Sequence, residues 1–242
     1  MKLTVFPFTM LPIVKVPFIL ISIVGLQTAV TPPHPPPRQE EKARSTTLEV
    51  LLKQRSAPLI VKGFSWGIAL AEVAVLVAKY APDLPYSDVV LSNLTCPGGD
   101  AECIRFSPAF LVGAIMTTAG GFIRYQCYQA LGSMFTFEMS IRKDHMLVTS
   151  GPYGVVRHPG YTGILLAVGL NMRQGSWVRE SGVFQTAAMK ALTLLTGGLV
   201  ATITSGLMIR MPKEDEALHR LAGEEWEDWA KKVPYRLIPW VY

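Results

Sequence analysis

The chain has 242 residues, of which half are hydrophobic and only 17% are charged, and its mean hydropathy is +0.30. This composition excludes an ordinary soluble domain of this length and predicts a polytopic membrane protein, with residues 1–242 forming a single domain. The net charge of +5 does not indicate nucleic-acid binding, because the lysines and arginines flank apolar segments instead of gathering into a basic stripe.

Five apolar segments are predicted to cross the membrane as helices, since about 20 residues span a bilayer core. They cover about 11–30, 57–80, 108–130, 161–178 and 183–209. The first follows Lys2 as a signal peptide would, but its prolines and the missing small-residue cleavage pattern favour a retained anchor. The fourth is apolar only as far as Met172, so a tilted helix and half of a hairpin are both open for it.

Individual residues inside the spans also carry expectations. Small residues in the second span, such as Gly63 and Gly67, predict close approach of a neighbouring helix. Glu72 in the same span is interpreted as paired within the bundle, with a place beside a functional cavity as the alternative. Arg124, near the end of the third span, is expected to extend its charged group to the membrane surface.

The segments between the spans predict the topology. The linker 31–55 holds five basic residues and the loop 82–106 holds one, which places the linker in the cytosol and the loop in the lumen. The loop contains a glycosylation sequon at Asn93, and Cys96 and Cys103 are close enough in sequence to form a small disulfide loop. The cysteines form no CxxC pair, and no metal site is expected.

Two polar segments are expected on the cytosolic face. The first is the insert 145–161, HMLVTSGPYGVVRHPGY, whose ionisable groups would be costly beside lipid unless they were paired or functional. The second is the tail from Arg210, where apolar residues at roughly helical spacing predict an amphipathic helix on that face. Pro212 and the acidic residues after it suit the first turn of such a helix.

At these residues the sequence resembles the isoprenylcysteine carboxyl methyltransferase family. The resemblance lies in five motifs in order, His145–Met146–Leu147–Val148–Thr149–Ser150–Gly151–x–Tyr153, Arg157–His158–Pro159–x–Tyr161–x–Gly163, Arg210 with Glu214–Asp215–x–x–Leu218, Gly223–Glu224–Glu225–Trp226 and Val233–Pro234. It covers the part of the chain from about Arg124 onward. The motif R-H-P-x-Y alone is less specific, because it is similar to a signature of other small membrane methyltransferases.

The resemblance implies an S-adenosylmethionine pocket between the insert 145–161 and the tail 210–229. The implied cofactor residues are His145, Met146, Leu147, Val148, Tyr153, His158, Pro159, Gly160, Tyr161 and Glu214. Residues 145–148 would form a wall for the adenosine, with the two tyrosines offering aromatic surface. Pro159 would begin a helix whose free amide groups, with His158 beside them, meet the methionine carboxylate, and Gly160 could contribute only its backbone. Glu214 would pair with the ammonium group or accept from the hydroxyls.

Arg210 is the predicted catalytic and substrate-binding residue. Its guanidinium would hold the carboxylate of a C-terminal prenylated cysteine, which is ionised at neutral pH and needs no general base to attack a sulfonium methyl group. The plainer alternatives are a membrane-surface anchor or an exposed ion pair with Glu214. Because Pro212 disfavours helical geometry at Met211, the two side chains are not expected to share one continuous helix face.

Two other kinds of function are compatible with the same residues. A phospholipid amine, as in phosphatidylethanolamine, could accept the methyl group in the same pocket, and a non-catalytic membrane scaffold or transporter would use the charges for packing. A carboxylate-binding role for Arg210 favours methyl esterification of proteins processed at a CAAX terminus over methylation of a phospholipid amine. The resemblance also implies a multi-pass protein of the endoplasmic reticulum membrane, in contact with lipids, whose site faces the cytosol.

Overall fold

The computed structural model describes residues 11–35, 56–96, 99–100, 103–136, 146–168 and 176–241. These residues form helices joined by turns and irregular segments, with no strand among them, which confirms the all-helical class. The α-helices in chain order are α1 Lys15–Val30, α2 Ser56–Tyr80, α3 Ser87–Leu94, α4 Pro108–Leu131, α5 Pro159–Val168, α6 Trp177–Glu180, α7 Ala187–Ala222 and α8 Glu224–Lys232.

Three helical stretches of the described chain are long and apolar enough to cross a membrane, namely Pro12–Val30, Pro58–Tyr80 and Ala187–Ala222. They correspond to the first, second and fifth predicted spans. Helix α4 has the length, roughly 36 Å at 1.5 Å per residue, but its glycines and threonines lower its hydropathy. Helix α5 is short, and residues 169–175 of the predicted fourth span lie outside the described part of the chain. The other two spans therefore stay predictions.

Helix α4 is the centre of the bundle, because it packs against both α1 and α5. Helices α1 and α4 run in the same direction and cross at Gly25 and Gly121, where a β-carbon on Gly121 would overlap the Gly25 backbone. Helix α5 runs the opposite way and crosses α4 at Gly120 and Gly163. These contacts bring the ends of α1 and α4 and the start of α5 to one end of the bundle.

The predicted close approach at the small residues of α2 is wrong for its glycines. Among the described residues, no heavy atom outside the adjoining turns of α2 lies within 4 Å of a β-carbon built on Gly63 or Gly67. The close helix contacts form instead where glycines on two helices face each other, since only then can both backbones approach. Composition alone does not distinguish these two situations.

Glu72 of α2 is paired within the bundle, as its preferred interpretation predicts. Its carboxylate forms a buried ion pair with Lys15 of α1, and it accepts a hydrogen bond of 3.2 Å from the backbone N–H of Trp177. The ammonium group of Lys15 also lies 4.6 Å from the centre of the Phe110 ring. The pair joins α1, α2, α4 and α6 at the end of the bundle opposite to the one where α1 and α4 end.

The polar loop between α3 and α4 lies at that same opposite end. Two backbone hydrogen bonds of 2.8 Å attach it to the end of α6 and the residue that follows, from Cys96 N–H to the Ser181 carbonyl and from Asp100 N–H to the Glu180 carbonyl. Cys96 and Cys103 are free thiols, and Cys103 donates to Asp100 at 3.2 Å. The disulfide that their sequence spacing allows is not formed.

Candidate active site

A cavity of about 240 Å³ opens where α1 and α4 end and α5 begins, with α7 along its side. Its wall is mostly apolar and includes residues from the insert, from α1, α2, α4, α5 and α7, and from α8. The sequence-predicted residues among the lining are Met146, Leu147, Val148, Tyr153, His158, Gly160, Tyr161, Arg210 and Glu214. The insert and the tail therefore meet on one face of the bundle.

Two of the predicted residues are placed differently. Pro159 is fully buried and begins α5 behind the cavity wall, where its fixed φ suits the first turn of a helix. His145 lies outside the described residues. The expectation of free amide groups at the start of α5 is wrong for two of them, because the N–H groups of Tyr161 and Thr162 both donate to the His158 carbonyl, at 3.0 and 3.2 Å.

Arg210 and Glu214 lie on one continuous helix face, which corrects the expected break at Pro212. Helix α7 runs through Pro212, and the Nε atom of Arg210 lies 2.6 Å from the Glu214 carboxylate. Proline removes only one intrahelical donor, and the buried side chains of Met211 and Asp215 hold the helix against its surroundings on either side. The predicted amphipathic helix is thus divided: 210–222 continues α7, and α8 follows after Gly223.

The ion pair of Arg210 is not an exposed surface pair. The side chains of Arg210 and Glu214 are 10% and 22% exposed, and both line the cavity. Helix α7 is about 54 Å long at 1.5 Å per residue, well beyond the roughly 30 Å of a bilayer core. The pair lies in the part of α7 that follows the predicted fifth span 183–209.

The ring of His158 is held at both nitrogens. Its Nε2 atom lies 3.1 Å from Asp215 and its Nδ1 atom lies 3.6 Å from Glu214, while the ring stacks on Tyr161 with centroids 5.5 Å apart. Burial by itself lowers the pKa of His158, but the hydrogen bonds and charges of the two carboxylates outweigh it, and the pKa is raised. A charged ring donates from both nitrogens, which suits two carboxylate neighbours.

Glu214 carries a charge at neutral pH. Burial would raise the pKa of Glu214, but the Arg210 guanidinium and the hydrogen bond from His158 lower it to about 2. The charge on this carboxylate is therefore lost only in strong acid. A carboxylate that stays ionised in a mostly apolar cavity can bind a cationic or hydroxyl-bearing ligand group.

Hydrogen bonds attach the insert to the C-terminal segment after α8. The backbone N–H groups of Arg157 and His158 donate to the carbonyls of Tyr235 and Arg236, at 2.9 and 2.8 Å. The indole N–H of Trp229 in α8 donates to the Tyr153 carbonyl at 3.1 Å. One wall of the cavity is therefore fixed by residues more than 70 positions away in the sequence.

Sequence reasoning missed the role of Arg124. Its side chain is buried, not at the membrane surface, and donates to the carbonyls of Ala29 and Gly160 at 3.1 and 3.2 Å. It lines the cavity, where it fixes the start of α5 to the ends of α1 and α4. In the sequence, Arg124 is an arginine near the end of an apolar helix. Such a residue can extend to the membrane surface or be buried against polar groups of the bundle, and the sequence does not distinguish the two.

The charged groups of the described lining are mostly cationic. They comprise Arg124, Arg157, His158 and Arg210 on one side and Glu214 on the other. Asp215, directly behind the wall, lies 3.5 Å from Arg157 and 3.2 Å from Arg236. Even with both carboxylates counted, the cavity keeps a positive surplus when His158 is charged, which favours an anionic ligand group.

Most of this site lies in a segment of the chain that is similar to a known protein family. Residues 113–220 match the model of the isoprenylcysteine carboxyl methyltransferase (ICMT) family. This range includes most of the cavity lining, and it confirms the resemblance that the motifs carry. It ends before α8 and the C-terminal segment.

Individual relatives match between about two fifths and just over half of the chain. A probable protein-S-isoprenylcysteine O-methyltransferase of Oryza sativa subsp. indica is 31% identical over 125 residues, which is 50% of this chain and 57% of the relative. The protein-S-isoprenylcysteine O-methyltransferase of Schizosaccharomyces pombe is 30% identical over 152 residues, 55% of each chain. Delta(14)-sterol reductase TM7SF2 of Mus musculus is 31% identical over 97 residues, 40% of this chain and 20% of the relative. The chain thus spans little more than half the length of the methyltransferases it matches.

Proposed function

We propose that this protein transfers a methyl group from S-adenosylmethionine to the C-terminal carboxylate of a prenylated cysteine. One observation carries the proposal most directly: a mostly apolar cavity at the end of membrane-type helices carries a cationic surplus that includes Arg210. A prenylated cysteine combines a long apolar chain with a single carboxylate. The family match over 113–220 supports the same reaction class.

The described residues fit the methyl donor. Met146, Leu147 and Val148 offer an apolar wall for the adenine, with the ring of Tyr161 beside the charged groups. Glu214, ionised at neutral pH, is the natural partner of an ammonium group. When bound, the donor supplies an electrophilic methyl group on a sulfonium sulfur.

The acceptor chemistry demands little acid–base help from the protein. A carboxylate is ionised at neutral pH, so Arg210 serves to bind and orient it towards the methyl group. The apolar lining limits the water around that carboxylate, which leaves it less shielded as it attacks. The same cationic groups would repel a headgroup amine in its ordinary protonated form, which argues against phospholipid methylation.

The membrane arrangement is part of the proposal. Five spans, with α4 and the fourth apolar segment added to the three apolar stretches, would place the cavity at the cytosolic face of the endoplasmic reticulum membrane. Lipids would surround the helices, and the prenyl chain would enter from the bilayer. Side chains of α1, α2, α5 and α7 line the apolar part of the cavity, among them Val30, Val61, Ile164, Val200 and Ile203.

Replacing Glu214 by glutamine is expected to weaken S-adenosylmethionine binding about tenfold or more, the usual range for losing a charge-assisted hydrogen bond. Calorimetry on the purified protein in detergent measures this. Glu216→Gln is the matched control, because Glu216 lies on the same helix but pairs with Arg220 in solvent. Unchanged affinity in Glu214→Gln would remove that residue from the donor site, and no binding by the unaltered protein would favour a scaffold or transporter.

A further inference from the structure

Asp215 is a buried carboxylate that contacts three cationic side chains at once. Its oxygens lie 3.1 Å from Nε2 of His158, 3.2 Å from Nε of Arg236 and 3.5 Å from a terminal nitrogen of Arg157. The residue is only 5% exposed and stands behind Glu214, outside the cavity lining. A buried carboxylate persists as an ion only where such partners offset its desolvation.

The three partners come from two separate parts of the chain. Arg157 and His158 belong to the insert, and Arg236 belongs to the C-terminal segment whose carbonyls accept from the insert backbone. Asp215 itself is on α7, next to the Glu214 that lines the cavity. One side chain of α7 therefore holds both the insert and the C-terminal segment.

The contact between Asp215 and His158 sets which ring nitrogen of His158 faces the cavity. With Nε2 bonded to Asp215, Nδ1 is left towards Glu214, at 3.6 Å. Stacking on Tyr161, with the two rings only 11° from parallel, prevents the ring from turning away. The orientation of His158 thus depends on Asp215 on one side and on packing on the other.

We propose that Asp215 is a positioning residue, which fixes the orientation and charge of the His158 ring and so keeps Glu214 in place for the methyl donor. Its link to His158 stands on geometry alone, whereas its effect on the donor rests on the proposed function. It makes no contact with the reacting atoms. Its effect passes through His158 to Glu214 and then to the bound cofactor.

The sign of the pH dependence follows from the surroundings of the ring. The charged and titratable groups around it are Glu214 and Asp215 with Arg210 on α7, Arg157 on the insert, Tyr161 on α5 and Arg236 on the C-terminal segment. The carboxylates raise the pKa of His158. The ring is therefore fully charged below the ordinary pKa of histidine and loses its charge as the pH rises through the raised pKa. Removal of one carboxylate should therefore move this loss to lower pH.

The test is a titration of the histidine rings by NMR in the full-length protein, in lipid nanodiscs and without cofactor. Absence of one signal in His158→Gln assigns the His158 resonance. In Asp215→Asn, the midpoint for His158 is expected to move to lower pH, and Asp215→Glu should restore part of the shift. Asp228→Asn, at an exposed carboxylate of α8 paired with Lys231, should leave it unchanged. An unmoved midpoint in a folded Asp215→Asn protein would overturn the proposal.

Cofactor binding separates this proposal from the proposed function. Affinity for S-adenosylmethionine should fall about tenfold in Asp215→Asn, with the alkaline limit of binding displaced to lower pH, which a purely structural defect would not produce. If Asp215→Asn does not fold, Arg236→Gln replaces it. In that variant Asp215 has lost the nearby charge of Arg236, so its carboxylate stabilises the charged His158 ring more strongly and the titration midpoint of His158 should rise. A lower or unchanged midpoint would contradict the proposed link between Asp215 and His158. Absent binding by the unaltered protein refutes the methyl-donor site and leaves the titration readable.

Discussion

Replacement of Arg210 by alanine is expected to lower methyl transfer to a prenylated cysteine by about a hundredfold or more. A guanidinium can donate two charge-assisted hydrogen bonds to a carboxylate, and their combined loss is worth roughly 3 kcal/mol or more. The loss should appear in both KM for the acceptor and kcat, because the same contact binds the carboxylate and aligns it. Affinity for the methyl donor should be retained, since Glu214 loses a competing cation.

The same helix provides the matched control. Arg220 also forms an ion pair with a glutamate four positions away, Glu216, but its side chain is 76% exposed. Exposed pairs of this kind contribute little, so Arg220→Ala should leave transfer and stability nearly unchanged. Equal activities of Arg210→Ala and Arg220→Ala would show that Arg210 is only a surface anchor. A lower activity of Arg210→Ala explained wholly by weaker donor binding would place Arg210 in the donor site instead.

Substitution of Gly121 by alanine is expected to destabilise the protein by several kcal/mol or to prevent folding, because close packing tolerates overlap poorly. A β-carbon there would overlap the carbonyl oxygen, α-carbon and carbonyl carbon of Gly25, all of them backbone atoms that cannot turn away. Helices α1 and α4 would have to separate. That separation would also move Arg124, which joins the end of α1 to the start of α5.

Thermal unfolding in detergent, with yield of monodisperse protein, measures this effect. Gly67→Ala is the control, because a β-carbon at that position would meet no described atom within 4 Å outside the adjoining turns of α2. A helical glycine in open space should gain up to about 1 kcal/mol on becoming alanine. Equal unfolding temperatures of the two variants would mean that α1 and α4 do not cross at Gly121.

The face that carries the cavity could be predicted from charge and hydropathy, and the family resemblance implied a pocket between the two segments on that face. Alternation of apolar spans with polar segments placed the insert and the tail on one face, and the structure brings Tyr153, His158 and Arg210 around one cavity. The cost of placing ionisable residues beside lipid made these residues conspicuous in the sequence. The roles assigned to them remain proposals.

Other features could not be predicted, because they depend on tertiary contacts. The local conformational preferences of proline place Pro212 at the start of a helix. Helix α7 nevertheless continues through Pro212, because buried side chains before and after it pack against the surrounding structure. Arg124 has the position of a surface-seeking arginine, but backbone carbonyls of α1 and α5 retain it inside. Asp215 looked like one more residue of an acidic run until the fold brought Arg157, His158 and Arg236 to it.

The most direct test of the proposed reaction uses purified protein in nanodiscs, methyl-labelled S-adenosylmethionine and two acceptors offered together, a farnesylcysteine analogue and phosphatidylethanolamine. We expect label on the farnesylcysteine analogue, as an ester that mild alkali hydrolyses to release labelled methanol. Arg210→Ala should lose that signal. Alkali-stable label on the phospholipid amine, or no transfer at all by a folded protein, would contradict methyl esterification of a prenylated cysteine.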